Sequence, residues 1–530
     1  MADTMHTLNS MLIRVAAEAG DKEGLVFLDK KFTFKEILEN SLRYAAFFME
    51  NGVKRGDHIA IVLDNSHQFI FSFFGILFAG GIVIPIGPKS KANRIKRIIE
   101  DSHITLVIFD TFNYNTCKTN LINEIPLISE FICFPEDIES SPQFLLTDFD
   151  MKKFFMPDVN DIAFFQYTSG TTGFSKGVMI SHRAVLANII GICKRLDLRM
   201  DDVYSSLMPL YHDMGLIGFC LVPIYSALKL ILFPQTVMVL YSWLKAFAQH
   251  KVTISGASNT LLNLTHKVVE NPKDYDCSSL RYMICGSEPL YPQVLKKFEM
   301  NYDAAGKVLS AYGMAELSLC VTMQSPGTQF QVDKRNIVSC GRPLENIEIK
   351  IDSPASSIPG EILIKSPARM DGYYQKEEET RTVMEGEFLR TGDLGYLNEN
   401  SELFVIGRIK NIIIRDGENL SPGDLEEVAI KYPQVRNAAV VVVEDQKREQ
   451  KDSICLVIET NKAMLEKEDE ANELKSRLIK DIRKNGTYLF DKLYIVRQGT
   501  IPFSTNGKMQ HQALREMIRN NNIGSKYLVL

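Results

Sequence analysis

The chain runs to 530 residues, more than a single hydrophobic core organises, so two or more domains are expected. Hydrophobic residues at 45% and charged residues at 24% are those of a globular protein, and a formal net charge of -5 supplies no cationic field for a nucleic acid. Nine cysteines, odd in number and never spaced C-x-x-C, argue against a zinc site or a disulfide framework. A reducing, cytoplasmic setting is expected, and Met1-Ala2-Asp3-Thr4 lacks the basic region and apolar core of a secretory signal.

Along the chain, residues 34–51 are predicted as helix and 59–63 as strand. Residues 69–86 are apolar apart from Ser72, close to the roughly 20 residues of a membrane helix. Gly80-Gly81 and Pro85 interrupt the run, which predicts a buried helix over 68–79, a turn and a strand over 82–86, with no integral membrane association. Strands are expected at 106–109 and 162–167, a helix at 182–195, and further strands at 229–233, 252–254, 282–285 and 307–311. This alternation predicts α/β layers with parallel strands. After about residue 340 closely spaced strands follow, at 347–351, 361–364 and 403–406. A last region carries a helix at 422–431, strands at 438–443 and 454–459, and a charged helix at 463–484 whose Lys/Glu-rich stretch reads as a solvated face. The fold class is therefore α/β. A large N-terminal domain, residues 1–409, is expected to combine layered α/β subdomains with a β-rich subdomain, followed by a small mobile α+β C-terminal domain, residues 410–530.

The densest chemistry lies in Gln166-Tyr167-Thr168-Ser169-Gly170-Thr171-Thr172-Gly173-Phe174-Ser175-Lys176-Gly177, directly after an apolar strand. Glycines let the backbone approach an anion and aim N–H groups at it. The hydroxyls of Thr168, Ser169, Thr171 and Thr172 add donors and Lys176 adds a positive charge, a combination that suits phosphate. The spacing is not the G-x-x-x-x-G-K-S/T of a P-loop, because Gly177 and Val178 follow Lys176. An ordinary Gly/Ser/Thr loop is the other reading.

This segment resembles the phosphate-binding loop of the adenylate-forming superfamily, which includes acyl- and aryl-CoA synthetases, firefly luciferase, peptide-synthetase adenylation domains and fatty acyl-AMP ligases. Further segments resemble the family in order and spacing, from about residue 20 to residue 515. Ala311-Tyr312-Gly313-Met314-Ala315-Glu316 is similar to Y-G-x-T/A-E, and Arg390-Thr391-Gly392-Asp393 to the S/T-G-D segment. Gly407-Arg408-Ile409-Lys410 is similar to the hinge, and Pro502-Phe503-Ser504-Thr505-Asn506-Gly507-Lys508 to P-x-S/T-x-x-G-K. Leu389 stands where the family often has an aromatic residue, and Ser175 where it usually has proline.

The resemblance implies ATP and Mg²⁺ as cofactors. Thr168, Ser169, Gly170, Thr171, Thr172, Gly173 and Lys176 would hold phosphates, with Gly286, Ser287, Glu288, Tyr312, Gly313, Met314 and Ala315 around the nucleotide. Glu316 would hold Mg²⁺, a hard cation that prefers carboxylate and phosphate oxygens. Asp393 would accept from the ribose hydroxyls with Arg408 assisting. Lys508 would be the catalytic lysine, its ammonium placed where charge accumulates as a carboxylate attacks the α-phosphate. Lys410 would be the hinge about which the small domain rotates.

Pro209 to Gly218, Gly286-Ser287-Glu288-Pro289, Val338 to Pro343 and Ala315 resemble the fatty acyl-AMP ligase branch. That branch implies His212 beside the acyl carboxylate and a fatty acid as substrate. The apolar runs 216–232 and 254–264 are candidates for an acyl tunnel or equally for core. The acceptor implied is a phosphopantetheine thiol on an acyl carrier protein supplied in trans, since no Asp-Ser-Leu carrier motif follows Lys508. Free CoA remains open, because the insertion typical of fatty acyl-AMP ligases is not seen between Glu316 and Asp393, and Asp416-Gly417-Glu418-Asn419 resembles a CoA-ligase segment. Activation of an amino or aryl acid is another reading, with Asp213 as the one obvious partner for an amino group. A nucleotide-binding sensor without turnover is a third.

Overall fold

The computed structural model describes residues 6–90, 92–111, 114–115, 132–168, 176–236, 239–411, 413–415, 418–420, 422–444, 452–460, 468–484, 490–503, 509–520, 522–523 and 526–529. Among these residues the strands form two large sheets and three smaller ones. A nine-stranded sheet runs Arg342–Pro343, Cys320–Met323, Val308–Gly313, Tyr282–Cys285, Ile254–Ala257, Val203–Ser206, Lys229–Leu232, Glu23–Phe27, Lys30–Thr33. Its six central strands are parallel and its edges antiparallel. A seven-stranded sheet runs Gly372–Tyr373, Lys176–Ser181, Ile162–Thr168, Ile82–Pro85, His58–Val62, Leu106–Phe109, Ile132–Cys133, again parallel except at the end nearest Lys176. The expected α/β layers with parallel strands are present.

The helix His67–Ala79 shows how sequence sets this arrangement. Ser66 caps it by accepting from the Phe69 N–H at 3.1 Å, and Gly80, at φ 89°, ends it by donating to Ile76 and Leu77. Every residue between except Gln68 is buried, Phe69, Phe73, Phe74 and Phe78 among them. Each such ring contributes about 2 kcal/mol by leaving water, so the run that looked long enough for a membrane is an interior helix. Among the described residues no helix is long and apolar enough to cross a membrane.

A five-stranded antiparallel sheet brings Phe388–Leu397 against Leu403–Arg408. Beyond it, Asn437–Glu444, Asp452–Thr460, Lys492–Arg497 and Lys526–Val529 form a separate four-stranded sheet. One face is covered by a cluster that includes Leu425, Leu474 and Leu478, the other by one that includes Leu514 and Ile518. One expectation shifts and one strand is unforeseen. The strand placed at 252–254 is Ile254–Ala257, and Val203–Ser206 is a central strand that its polar sequence concealed. Ser255, Gly256 and Ser205 are poor strand formers, but both strands lie inside a parallel sheet where the ladder decides, and packing overrides propensity.

Candidate active site

Asp393 and Arg408 are cross-strand partners in the five-stranded sheet, so their side chains meet by register. Arg408 Nε lies 2.8 Å from Asp393 Oδ1 and its Nη1 donates to the Thr391 carbonyl at 2.8 Å. The other carboxylate oxygen accepts from the Tyr312 hydroxyl at 2.6 Å. Thr391 Oγ1 in turn accepts from the Asp393 N–H at 3.1 Å. Desolvation, and then the Asp393 charge, push the Tyr312 phenol well above its ordinary value, so it stays a neutral donor. Burial works against the Arg408 charge, but the Asp393 carboxylate first, and Glu316 after it, offset it and raise the guanidinium pKa.

Tyr312 is next to last in the strand Val308–Gly313, and Gly313 must be glycine: a Cβ there would sit 1.5 Å from the Leu319 carbonyl oxygen. That close approach folds the chain back through a single helical turn, Ala315–Leu317, which carries Glu316. Glu316 is buried, and its Oε1 accepts from the Tyr373 hydroxyl at 2.9 Å. Burial and the Glu316 charge raise the Tyr373 pKa. The Tyr373 ring also lies under Lys176, whose Nζ is 4.7 Å from its centroid and 2.5 Å from Glu379 Oε2. Tyr373 arrives there because Gly372–Tyr373 pairs with the strand that begins at Lys176. Two residues after Glu316 comes Ser318, at φ 63° and ψ -62°, with the Leu319 N–H donating to the Leu317 carbonyl at 2.8 Å. This is a three-residue turn of the strained hand, costing on the order of 1–3 kcal/mol for a non-glycine residue.

His212 lies just before a wide π-helical segment, Met214–Leu221. Its Nδ1 faces Asp213 Oδ1, and Asp213 also accepts from the Met214 N–H at 2.7 Å. Gln166, from the strand that leads to the Gly/Ser/Thr loop, donates to the Tyr211 carbonyl at 2.9 Å and so ties the two regions together. A cavity opens here, lined by His212, Asp213, Met214, Gly286 and Ser287, by Tyr312 and Gly313, and by the apolar Ile192, Phe219, Ile284, Leu319, Cys320 and Met323. Ser287, at φ 69°, donates to Met214 Sδ at 3.1 Å. Phe219 stands against Gly256, where a Cβ would come within 2.1 Å of the ring.

The residues expected from sequence therefore fall into groups. Asp393, Arg408, Tyr312 and Glu316 sit close together, and His212, Gly286, Ser287, Tyr312 and Gly313 share one cavity. Met314 and Ala315 are buried between Gly313 and Glu316. Glu288 faces another way: its carboxylate accepts from the Thr260 N–H at 2.5 Å and the Thr260 hydroxyl at 2.9 Å, at the start of the helix Asn259–Val268. Thr168 and Lys176 are paired across the hairpin. Ser169, Gly170, Thr171, Thr172, Gly173 and Lys508 lie outside the described residues. Lys410 is exposed in the turn Ile409–Asn411 that follows Arg408. Of the two apolar runs offered as a tunnel, Gly218 and Phe219 line the cavity, while Leu221, Leu230 and Ile254 are core. Tyr373, Glu379 and Asn188 were not singled out, since only long-range pairing brings them to the site. Asn188 alone left a trace, a polar residue on the apolar face of a helix.

A family model described as AMP-binding enzyme matches residues 12–374. The chain is 31% identical over 481 residues to the long-chain-fatty-acid–CoA ligase of Bacillus subtilis (strain 168), across 83% of this chain and 84% of the relative. It is 26% identical over 539 residues to the medium-chain-fatty-acid–acyl-carrier-protein ligase JamA of Moorena producens (strain JHB), across 91% and 89%. A solved structure from structural and functional studies of fatty acyl-adenylate ligases from E. coli and L. pneumophila superposes with a TM-score of 0.86 at 25% identity. The match covers 97% of this chain and 98% of the other.

Proposed function

This chain belongs to the AMP-binding enzyme family and is an adenylate-forming acid ligase, and from that premise we propose that it activates a fatty acid and hands the acyl group to the phosphopantetheine thiol of a carrier protein. In the first step a carboxylate oxygen attacks the α-phosphorus of ATP, the bond to pyrophosphate breaks, and pyrophosphate leaves. In the second, the thiol sulfur attacks the acyl carbon, the bond to AMP breaks, and AMP departs as the thiol proton is lost to solvent.

The observation that carries this reading is the shared cavity: apolar walls from Phe219, Leu319 and Met323 meet His212 on one element and Tyr312 and Gly313 on another. An alkyl chain fits the former and a nucleotide the latter. Glu316 fits Mg²⁺, offering a carboxylate where the phosphates of ATP would supply further oxygens. Asp393 would accept from the ribose, with Lys176 and the loop before it on the phosphates. Residues 410–530 would act as a lid carrying Lys508 and turning about Lys410.

A fatty acid is favoured by the relatives in Bacillus and Moorena, which are fatty-acid ligases by name. Asp213 lies against His212 and the Met214 N–H, which makes it a poor anchor for an amino group. Free CoA is the second reading, favoured by the Bacillus relative and by the Asp416-Gly417-Glu418-Asn419 segment. The test is mass spectrometry of products from ATP, Mg²⁺ and a panel of fatty acids, with CoA, with holo carrier protein and with neither. Acylated carrier without acyl-CoA supports the proposal, and acyl-CoA as the main product overturns the choice of acceptor.

A further inference from the structure

The helix His182–Leu196 carries a buried amide, Asn188, amid Ala184, Val185, Ile189 and Ile192. Burying an amide is unfavourable unless its donors and acceptor are satisfied. Asn188 satisfies them on backbone: Oδ1 accepts from the Cys320 N–H at 3.1 Å, and Nδ2 donates to the Cys320 carbonyl at 2.7 Å and lies 3.4 Å from that of Leu317. The amide thus pairs with Cys320 as a neighbouring strand would, and it spans the strained turn at Ser318. The opposite side is fastened by Ser318 Oγ donating to the Ala368 carbonyl at 2.8 Å and by the Met370 N–H donating to the Glu316 carbonyl at 2.9 Å.

We propose that Asn188 is a positioning residue: through the backbone of residues 317–320 it places Glu316 on one side and the Leu319–Cys320 wall of the cavity on the other, so one buried amide sets the cation site and the acid pocket in register. Ile192, one turn along the same helix, lines the same cavity, so the helix that holds the turn also forms part of the wall. Register matters because the carboxylate and the α-phosphorus must meet within about 3 to 3.5 Å, and a misplacement of about 1 Å can cost about a hundredfold in rate. The inference rests on the adenylate-forming reading.

The experiment compares wild type, Asn188→Ala and Asn188→Ser. Adenylation kcat and the KM values for ATP and for fatty acids of several lengths are measured, together with hydrogen exchange at the Leu319 and Cys320 amides. Asn188→Ala is expected to lower kcat about 10- to 100-fold and to speed exchange at both amides, with Asn188→Ser intermediate. A residue that merely fills space would cost stability without speeding exchange at these two amides ahead of their neighbours in the sheet. Wild-type kcat in a folded Asn188→Ala or Asn188→Ser protein overturns the proposal. Should wild type make no adenylate from any acid, the ligase reading fails instead, and unchanged exchange in the variants would still count against the clamp.

Discussion

The hydroxyl of Tyr312 donates to Asp393 across 2.6 Å while Arg408 closes on the other oxygen of the same carboxylate at 2.8 Å. The carboxylate is thus aimed by two donors from two different sheets. Hydrogen bonds to a charged group contribute about 1.5–3 kcal/mol, so Asp393→Asn is expected to weaken ATP binding about 10- to 100-fold. Tyr312→Phe is expected to do so less severely, because Arg408 remains. Calorimetric titration with ATP checks both, and unchanged affinity in Asp393→Asn removes the ribose role.

Lys176 meets Glu379 at 2.5 Å, so a phosphate arriving at that ammonium finds an anion already there. Glu379→Gln is expected to lower the KM for ATP a few-fold at low salt. The gain should vanish at high ionic strength, because the pair is partly exposed and screened. A rise in KM would mean that Glu379 orients Lys176 rather than competing for it.

The contact between Phe219 and Gly256 gives opposite expectations for two substitutions. Phe219→Ala removes a cavity wall and should shift the preferred acid toward longer chains, at a stability cost of about 3–5 kcal/mol. Gly256→Ala places a methyl within 2.1 Å of the present ring position and should drive the ring into the cavity, favouring shorter acids. Rates across a chain-length series decide, and identical profiles for all three proteins contradict the assignment.

Burial holds His182 and His67 down to a pKa of about 4. His182 Nδ1 accepts from the Leu8 N–H at 3.1 Å, a role that only the neutral ring fills. A base whose folded pKa lies below its unfolded value of about 6.5 leaves the unfolded chain holding more protons between the two. Stability is therefore full above pH 6.5 and declines as pH falls toward 4, by about 2 kcal/mol for each histidine at pH 5. Denaturant melts at pH 7 and pH 5 test this. In His182→Asn, whose amide oxygen can accept from Leu8, the pH dependence should be flatter, and an equal slope would assign the acid sensitivity elsewhere.

Local chemistry was readable where a motif is contiguous. Tyr312, Glu316, Asp393 and Arg408, each marked by its own short segment, do come together, because their neighbours in sequence are also their neighbours in the turn or strand that presents them. The interior helix was likewise readable from Gly80-Gly81 and its phenylalanines. Partnerships made by topology were not. Tyr373 reaches Glu316 only because a two-residue strand pairs with the one beginning at Lys176, and Val203–Ser206 is a strand because its neighbours in the sheet make it one. Glu288 shows the converse, since a motif position can be taken up by the capping of a nearby helix.

The most direct test of the adenylation chemistry is acid-dependent exchange of pyrophosphate into ATP, run with wild type and Lys508→Ala over a range of fatty acids. Exchange that requires a fatty acid, and that falls on the order of 10² to 10³ when Lys508 is removed, is the expected result. Exchange that no acid stimulates, or that is indifferent to Lys508, would contradict it.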